Sequence, residues 1–168
     1  MDQATALYYV HNAAEIAARY EAVNSPVERH FSVAFAQGGR VLDVGAGSGR
    51  DLAALVRCGF EGYGVEPTEA LRAEAMAAHP ALQGRLVAGA LPAIGEPFGG
   101  NFDGILCSAV LMHVPDADLF DSAFALRRPL YRGGSMVVNA DPAPPADGPR
   151  VDLLCHTSNI TRPGAPDG

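Results

Sequence analysis

The stretch VLDVGAGSGRD, Val41 to Asp51, restricts the fold of this chain more than any other part of it. An apolar run that admits one acid, followed by glycine at three alternate positions, reads as a buried strand passing through a tight turn into a helix. The glycines permit positive φ and leave the backbone bare, so a ligand can come close to it. The helix that follows offers unpaired N–H groups at its start, which suits something flat or anionic.

Strand and helix patterns alternate around this turn. Arg40 to Val44, Gly62 to Val65, Arg85 to Ala88, Phe102 to Ser108 and Ser135 to Asn139 have strand character, the last following Gly133-Gly134. Leu52, Leu55 and Val56 mark a helix closed by Gly59, Thr68 caps one carrying Leu71, Ala75 and Met76, and a third runs from about Leu119 to Arg128. The alternation predicts an α/β fold: a Rossmann-like, doubly wound, mostly parallel sheet with helices on both faces. Ahead of it, Leu7, Val10, Ala14, Ala17 and Ala18 predict a helix from residue 4 to about 23. Ser25-Pro26-Val27-Glu28 then reads as a capping box opening a second helix to about Ala36. The expected organisation is one domain over residues 1–140, with 1–37 as a helical cap. A Pro-rich tail over 141–168 follows, with a candidate edge strand at 151–155.

Composition narrows the partners. The 168 residues are 48% apolar, enough for one core, and carry a net charge of -7 with no clustering of the basic residues. A nucleic-acid backbone would be repelled, so no nucleic acid is expected. Cys58, Cys107 and Cys155 stand far apart with no CxxC pair, which argues against a disulfide framework and against a metal site. No run approaches the roughly 20 apolar residues of a membrane span and the first residues do not resemble a signal peptide, so the expectation is a cytoplasmic protein with no membrane contact.

The loop GAGSG is not the dinucleotide pattern GxGxxG, because Arg50 stands where the third glycine would be. Glu66 closes the second strand, where a carboxylate can accept hydrogen bonds from both hydroxyls of a ribose. Loop and acid together point to an adenosine-type ligand.

In order and spacing, VLDVGAGSGRD, GYGVEP, FDGILCSAVLMHVPD and GGSMVVN resemble the motifs of class I S-adenosylmethionine-dependent methyltransferases. The likeness covers roughly residues 38 to 140 and is nearest to the small-molecule enzymes related to quinone-biosynthesis methyltransferases; NAAEIAARYEA resembles their helical cap. The resemblance implies S-adenosyl-L-methionine as cofactor and S-adenosyl-L-homocysteine as product. It implies that Asp43 orients the loop and reaches toward the ligand's ammonium. Gly45, Ala46, Gly47 and Gly49, with Arg50 after them, would form the surface the cofactor lies against, and Glu66, followed by Pro67, would hold the ribose. Ser108, Ala109 and Val110 would line the methionine side. Tyr20 and Arg19 on the cap would close over the cofactor, Arg19 toward its carboxylate. His113 is the candidate for a general base or acceptor contact, the alternative being a residue that packs at a turn. The family usually has an acid after the third strand for the adenine amine. This chain has Gly89, Ala90 and Leu91 there, so backbone and apolar contact would hold the base.

Methyl transfer from a sulfonium needs alignment rather than a protein nucleophile or a metal, which fits the absence of a catalytic triad. The expected acceptor is a small molecule with an oxygen, nitrogen or carbon nucleophile. Two other readings stay open: a non-catalytic cofactor-binding or interaction module with an incomplete acceptor site, and an NAD-dependent oxidoreductase, which Arg50 disfavours. The family usually continues beyond the fifth strand, so that strand is expected to be an open edge, covered by a homodimer partner or by the docked tail.

Overall fold

The computed structural model describes residues 3–139 and 152–156. Its six strands form one sheet in the order β3-β2-β1-β4-β5-β6. They are β1 (Arg40–Val44), β2 (Glu61–Val65), β3 (Leu86–Val87), β4 (Phe102–Ser108), β5 (Leu130–Asn139) and β6 (Asp152–His156). The first five pair in parallel, with Leu42 opposite Tyr63 on one side and Ile105 on the other. The chain runs outward from β1 to β3 and then returns to place β4 beside β1. The carboxyl ends of β1 and β4 therefore flank the switch point, where open α/β sheets leave a crevice.

Both faces of the sheet are buried, which is why its central strands read as unbroken apolar runs. Val41 and Leu106 turn toward α3 (Phe31–Ala34) and α4 (Arg50–Arg57), packing with Phe31, Phe35, Leu55, Phe60 and Val137. Their neighbours Leu42 and Ile105 turn to the opposite face, where Phe102, Cys107 and Leu126 of α6 (Leu119–Arg127) meet Leu91 and Ile94. Gly104 makes room on the first face, because a Cβ there would overlap the ring of Phe35. Gly104→Ala is expected to cost about 1–3 kcal/mol, as overpacking of a filled core does. An unchanged melting temperature would show that Phe35 can move aside.

The N-terminal segment departs from the expected single helix. It is α1 (Gln3–His11) and α2 (Ala13–Glu21), broken at Asn12. The side chains at the break take the last carbonyls of α1: His11 Nδ1 lies 2.8 Å from Leu7 O, and Asn12 Nδ2 donates to Tyr8 O at 2.8 Å. The second expected helix, to about Ala36, is also shorter. Ser25 Oγ accepts the Glu28 N–H at 3.1 Å as the capping pattern requires, but the Glu28 carboxylate turns away to Arg57 at 2.9 Å. A turn of 3₁₀ helix leads into the single turn of α3, and Phe35 leaves it extended, with its ring over Gly104.

One further correction concerns the far side of the sheet. β5 starts at Leu130 rather than Ser135, with Gly133 and Gly134 inside it at a register shift opposite Phe102 and Gly104. The glycine pair marks a bulge inside the strand and does not precede it. The edge of the fifth strand is covered from within the chain, one of the two expected ways, because β6 pairs antiparallel along it, with Val137 opposite Leu154. This strand falls at the candidate edge strand of the tail; the rest of 140–168 lies outside the described residues. Among the described residues, no helix is long and apolar enough to cross a membrane.

Candidate functional site

A cleft open to solvent lies at the switch point. Its floor is the loop after β1. Gly45 and Ala46 donate their N–H groups to Val65 O at 2.8 and 3.0 Å, which holds the loop against the end of β2. Gly45 has φ 76°, and a Cβ there would overlap the side chain of Val110, so only glycine lets the loop after β4 come this close.

Glu66 stands at the end of β2, 5% exposed. Its Oε2 accepts the Gly47 N–H at 3.1 Å and its Oε1 the Thr68 N–H at 2.8 Å. Thr68 therefore occupies the N-cap position of α5 (Glu69–Ala78) without a side-chain cap bond, and the Glu66 carboxylate takes one of the free donors of that helix. Each oxygen still has a lone pair to offer a ligand hydroxyl in the cleft.

Of the residues singled out in the sequence, Gly45, Ala46, Gly47, Arg50, Glu66, Pro67, Ala90, Leu91, Ser108, Ala109, His113 and Tyr20 line this cleft. Asp43, Gly49 and Arg19 do not. Gly49 lies behind the loop as the N-cap residue of α4, at φ 81°, and a Cβ there would press on Leu82 and Ala75 at 2.8 and 2.9 Å. Arg19 lies on the exposed side of α2, about a quarter turn around the helix from Tyr20. Asp43 lies beneath the loop, 2% exposed, and its Oδ2 has no hydrogen-bond partner. Burial first, then Asp51 and Glu66, hold its carboxyl well above the usual carboxylate range, against the pull of Arg50.

Arg50, at the position of the missing third glycine, fastens α2 to the loop. Its Nε is 2.8 Å from Asp51 Oδ1, its guanidinium carbon lies 5.5 Å from the centre of the Tyr20 ring, and its Nη1 donates to Tyr20 O at 3.4 Å. Ser48 Oγ adds a second tie, donating to Glu21 Oε1 at 3.1 Å, and His79 Nε2 lies 3.1 Å from the same oxygen.

Gly89 and Val110 line it too, as expected, while Tyr9, Val44, Ser48, Asp51, Thr68, Leu71 and Val114 also line the cleft and were not singled out from the sequence as site residues. Tyr9 matters most among them. Its hydroxyl is 3.2 Å from His113 Nε2 and the rings meet edge to face at 5.6 Å and 83°, so α1 is joined to the loop after β4 across the cleft. Burial, then Tyr20 and Glu66, push the Tyr9 phenol up, so it keeps its proton and can donate. Ala109, at the end of β4, has φ 56°, unusual for a residue with a Cβ.

The fold recurs in solved proteins. One is a TehB-like SAM-dependent methyltransferase from Corynebacterium glutamicum, at TM-score 0.63 and 23% identity over 82% of this chain and 73% of that one. An amino pentose methyltransferase of calicheamicin biosynthesis from Micromonospora echinaspora, solved with SAM bound, gives TM-score 0.54 and 26% identity over 83% of this chain and 56% of that one. The glycopeptide N-methyltransferase MtfA, complexed with sinefungin, gives TM-score 0.59 and 23% identity over 70% and 51%. The chain thus spans between about half and three quarters of the length of these three. No curated protein gives a significant match. The family model described as a methyltransferase domain matches residues 13–145, most of the length, and the chain belongs to that family.

Proposed function

We propose that the protein binds S-adenosyl-L-methionine in the cleft at the switch point and moves its methyl group to an oxygen, nitrogen or carbon nucleophile of a small molecule. The observation that carries the reading is the meeting of a bare glycine backbone and a buried carboxylate at one strand end: Gly45 and Gly47 beside Glu66. The residues fit such a ligand. Glu66 has lone pairs for the ribose hydroxyls, Ala90 and Leu91 offer apolar surface to the adenine, and Ser108 and Ala109 bound the methionine end. When bound, the cofactor supplies an electrophilic methyl group on a sulfonium. The chain's own part is to hold donor and acceptor in line, to exclude water, and at His113 to take a proton from an acceptor that must lose one. The relatives named above for an amino pentose and a glycopeptide support a small-molecule acceptor.

Titration calorimetry with S-adenosyl-L-methionine, S-adenosyl-L-homocysteine and NAD tests the cofactor. Both adenosyl compounds should bind and NAD should not; NAD binding with neither adenosyl compound would overturn the reading. Glu66→Ala should weaken adenosyl binding by about 1.5–3 kcal/mol, the worth of charge-assisted hydrogen bonds, or roughly ten- to a hundredfold in affinity. Glu66→Gln, which keeps one acceptor oxygen, should lose less. Unchanged affinity in the alanine variant would remove Glu66 from the ligand's contacts.

A further inference from the structure

The ground beneath the glycine loop is short of positive charge. Asp43, Asp51 and Glu66 are buried together, at 2%, 8% and 5% exposure. Arg50 is the cation that acts on Asp43, and its Nε is engaged by Asp51 at 2.8 Å. Glu66 has a backbone N–H on each oxygen, but Asp43 Oδ2 has none. From β4 the titratable neighbour is Cys107, a thiol pushed up to about 12 by burial first and by Asp43 next, so it is neutral and compensates nothing. Asp43 is followed directly by Val44 and Gly45, which line the cleft, as do Asp51 and Glu66. A cation entering the cleft therefore arrives above a carboxyl whose Oδ2 has no hydrogen-bond partner and whose nearby cation, Arg50, is shared with Asp51.

We propose that Asp43 makes this site sense the charge on the ligand's sulfur: the carboxyl is protonated in the free protein, loses its proton when the sulfonium form binds, and largely keeps it when the uncharged thioether binds. The proposal rests on the reading of the cleft as an adenosyl site. The two ligands share an ammonium and a carboxylate and differ by one positive charge at sulfur, so a group that ionises in response to that charge separates them. Because binding of the sulfonium form releases the proton, its affinity rises with pH, while that of the thioether rises less. Asp43 thereby favours cofactor over product, and more so as pH increases.

Counting protons by calorimetry decides this. S-adenosyl-L-methionine and S-adenosyl-L-homocysteine are titrated into the intact protein and into Asp43→Asn near about pH 6, in buffers of different ionisation enthalpy; at that pH the ligand ammonium is fully protonated. The wild type is expected to release on the order of one more proton with the sulfonium ligand than the variant does, and a smaller excess with the thioether. The ratio of the two affinities should climb by up to about tenfold per pH unit in the wild type and stay flat in the variant. Equal proton counts for wild type and variant, with both ligands bound, would overturn the proposal and leave the cofactor reading standing. Failure of both ligands to bind the wild type would overturn both. If the variant does not fold, the wild type alone suffices, because equal proton release with the two ligands also overturns it.

The free protein offers a second readout. A carboxyl that holds its proton more tightly folded than unfolded adds no penalty below about pH 4, and its stability contribution falls as pH rises through the folded value. The melting temperature of Asp43→Asn relative to wild type should therefore increase from about pH 4 toward neutrality. A gap that stays constant would mean that Asp43 is ionised throughout.

Discussion

Gly45→Ala should lower adenosyl affinity by on the order of a hundredfold and destabilise the protein as well. Two costs combine. The residue sits at φ 76°, where a side chain costs about 1–3 kcal/mol, and the new methyl group would overlap Val110 in a filled contact, at about 1–3 kcal/mol more. The loop cannot relax freely, because the Gly45 and Ala46 N–H groups are both held by Val65 O. Relief must come either from the loop, which forms the cleft floor, or from Val110, which forms part of its wall. The two causes separate in the double variant Gly45→Ala, Val110→Ala: removing the valine branches recovers the overlap but not the strain, so partial rescue is expected. Calorimetric titration with S-adenosyl-L-homocysteine and thermal unfolding read both effects. Unchanged values in the single variant would show that the loop is softer than its hydrogen bonds imply.

The same loop shows what was legible in the sequence and what was not. Gly45, Gly47 and Glu66 could be read because their chemistry is local: a strand end, the turn after it and the next strand end are fixed relative to one another by parallel pairing, Val44 opposite Val65. Arg50 could be read as a departure from the dinucleotide pattern, but its use could not. It points back to Tyr20, and the partner's distance in sequence depends on how the cap folds. Tyr9 was hidden for the same reason. Its contact to His113 spans 104 residues, so no local pattern signals it.

The sheet was easier to read than the helices that cover it. β1 and β4 match their sequence runs because burial on both faces leaves no choice of residue, and apolar runs between polar turns are distinctive. The expected start of β5 falls too late because a glycine pair can precede a strand or sit at a bulge inside one, and only the partner strand decides between them. The segment after Ser25 was misread because a capping box and apolar residues at helical spacing describe a longer helix equally well. What ends it is tertiary, since Phe35 is worth more lying across Gly104 than continuing a helical turn.

Phe31→Ala should be the most damaging single truncation for stability. The ring is 1% exposed and forms a triangle with Phe35 and Phe60, centroids 6.1 and 6.2 Å away and 6.0 Å between those two. Phe31 opens α3, Phe35 follows it and Phe60 precedes β2, so this cluster ties the segment ahead of β1 to the sheet face that also carries Val41, Leu106 and Val137. Emptying that position should cost about 3–5 kcal/mol, a large part of the total of about 5–15 kcal/mol for an ordinary domain. The midpoint of chemical unfolding should fall while the slope stays the same, because the surface exposed on unfolding hardly changes. Phe120→Ala is the comparison: that ring is 81% exposed, and its loss should change stability by no more than about 0.5 kcal/mol. Phe31 does not line the cleft, so adenosyl affinity measured well below the variant's unfolding transition should stay near that of the wild type. A Phe31→Ala protein with wild-type stability would mean that the aromatic triangle does not anchor the N-terminal segment, and one that is stable but fails to bind would mean that this cluster sets the position of the cleft wall.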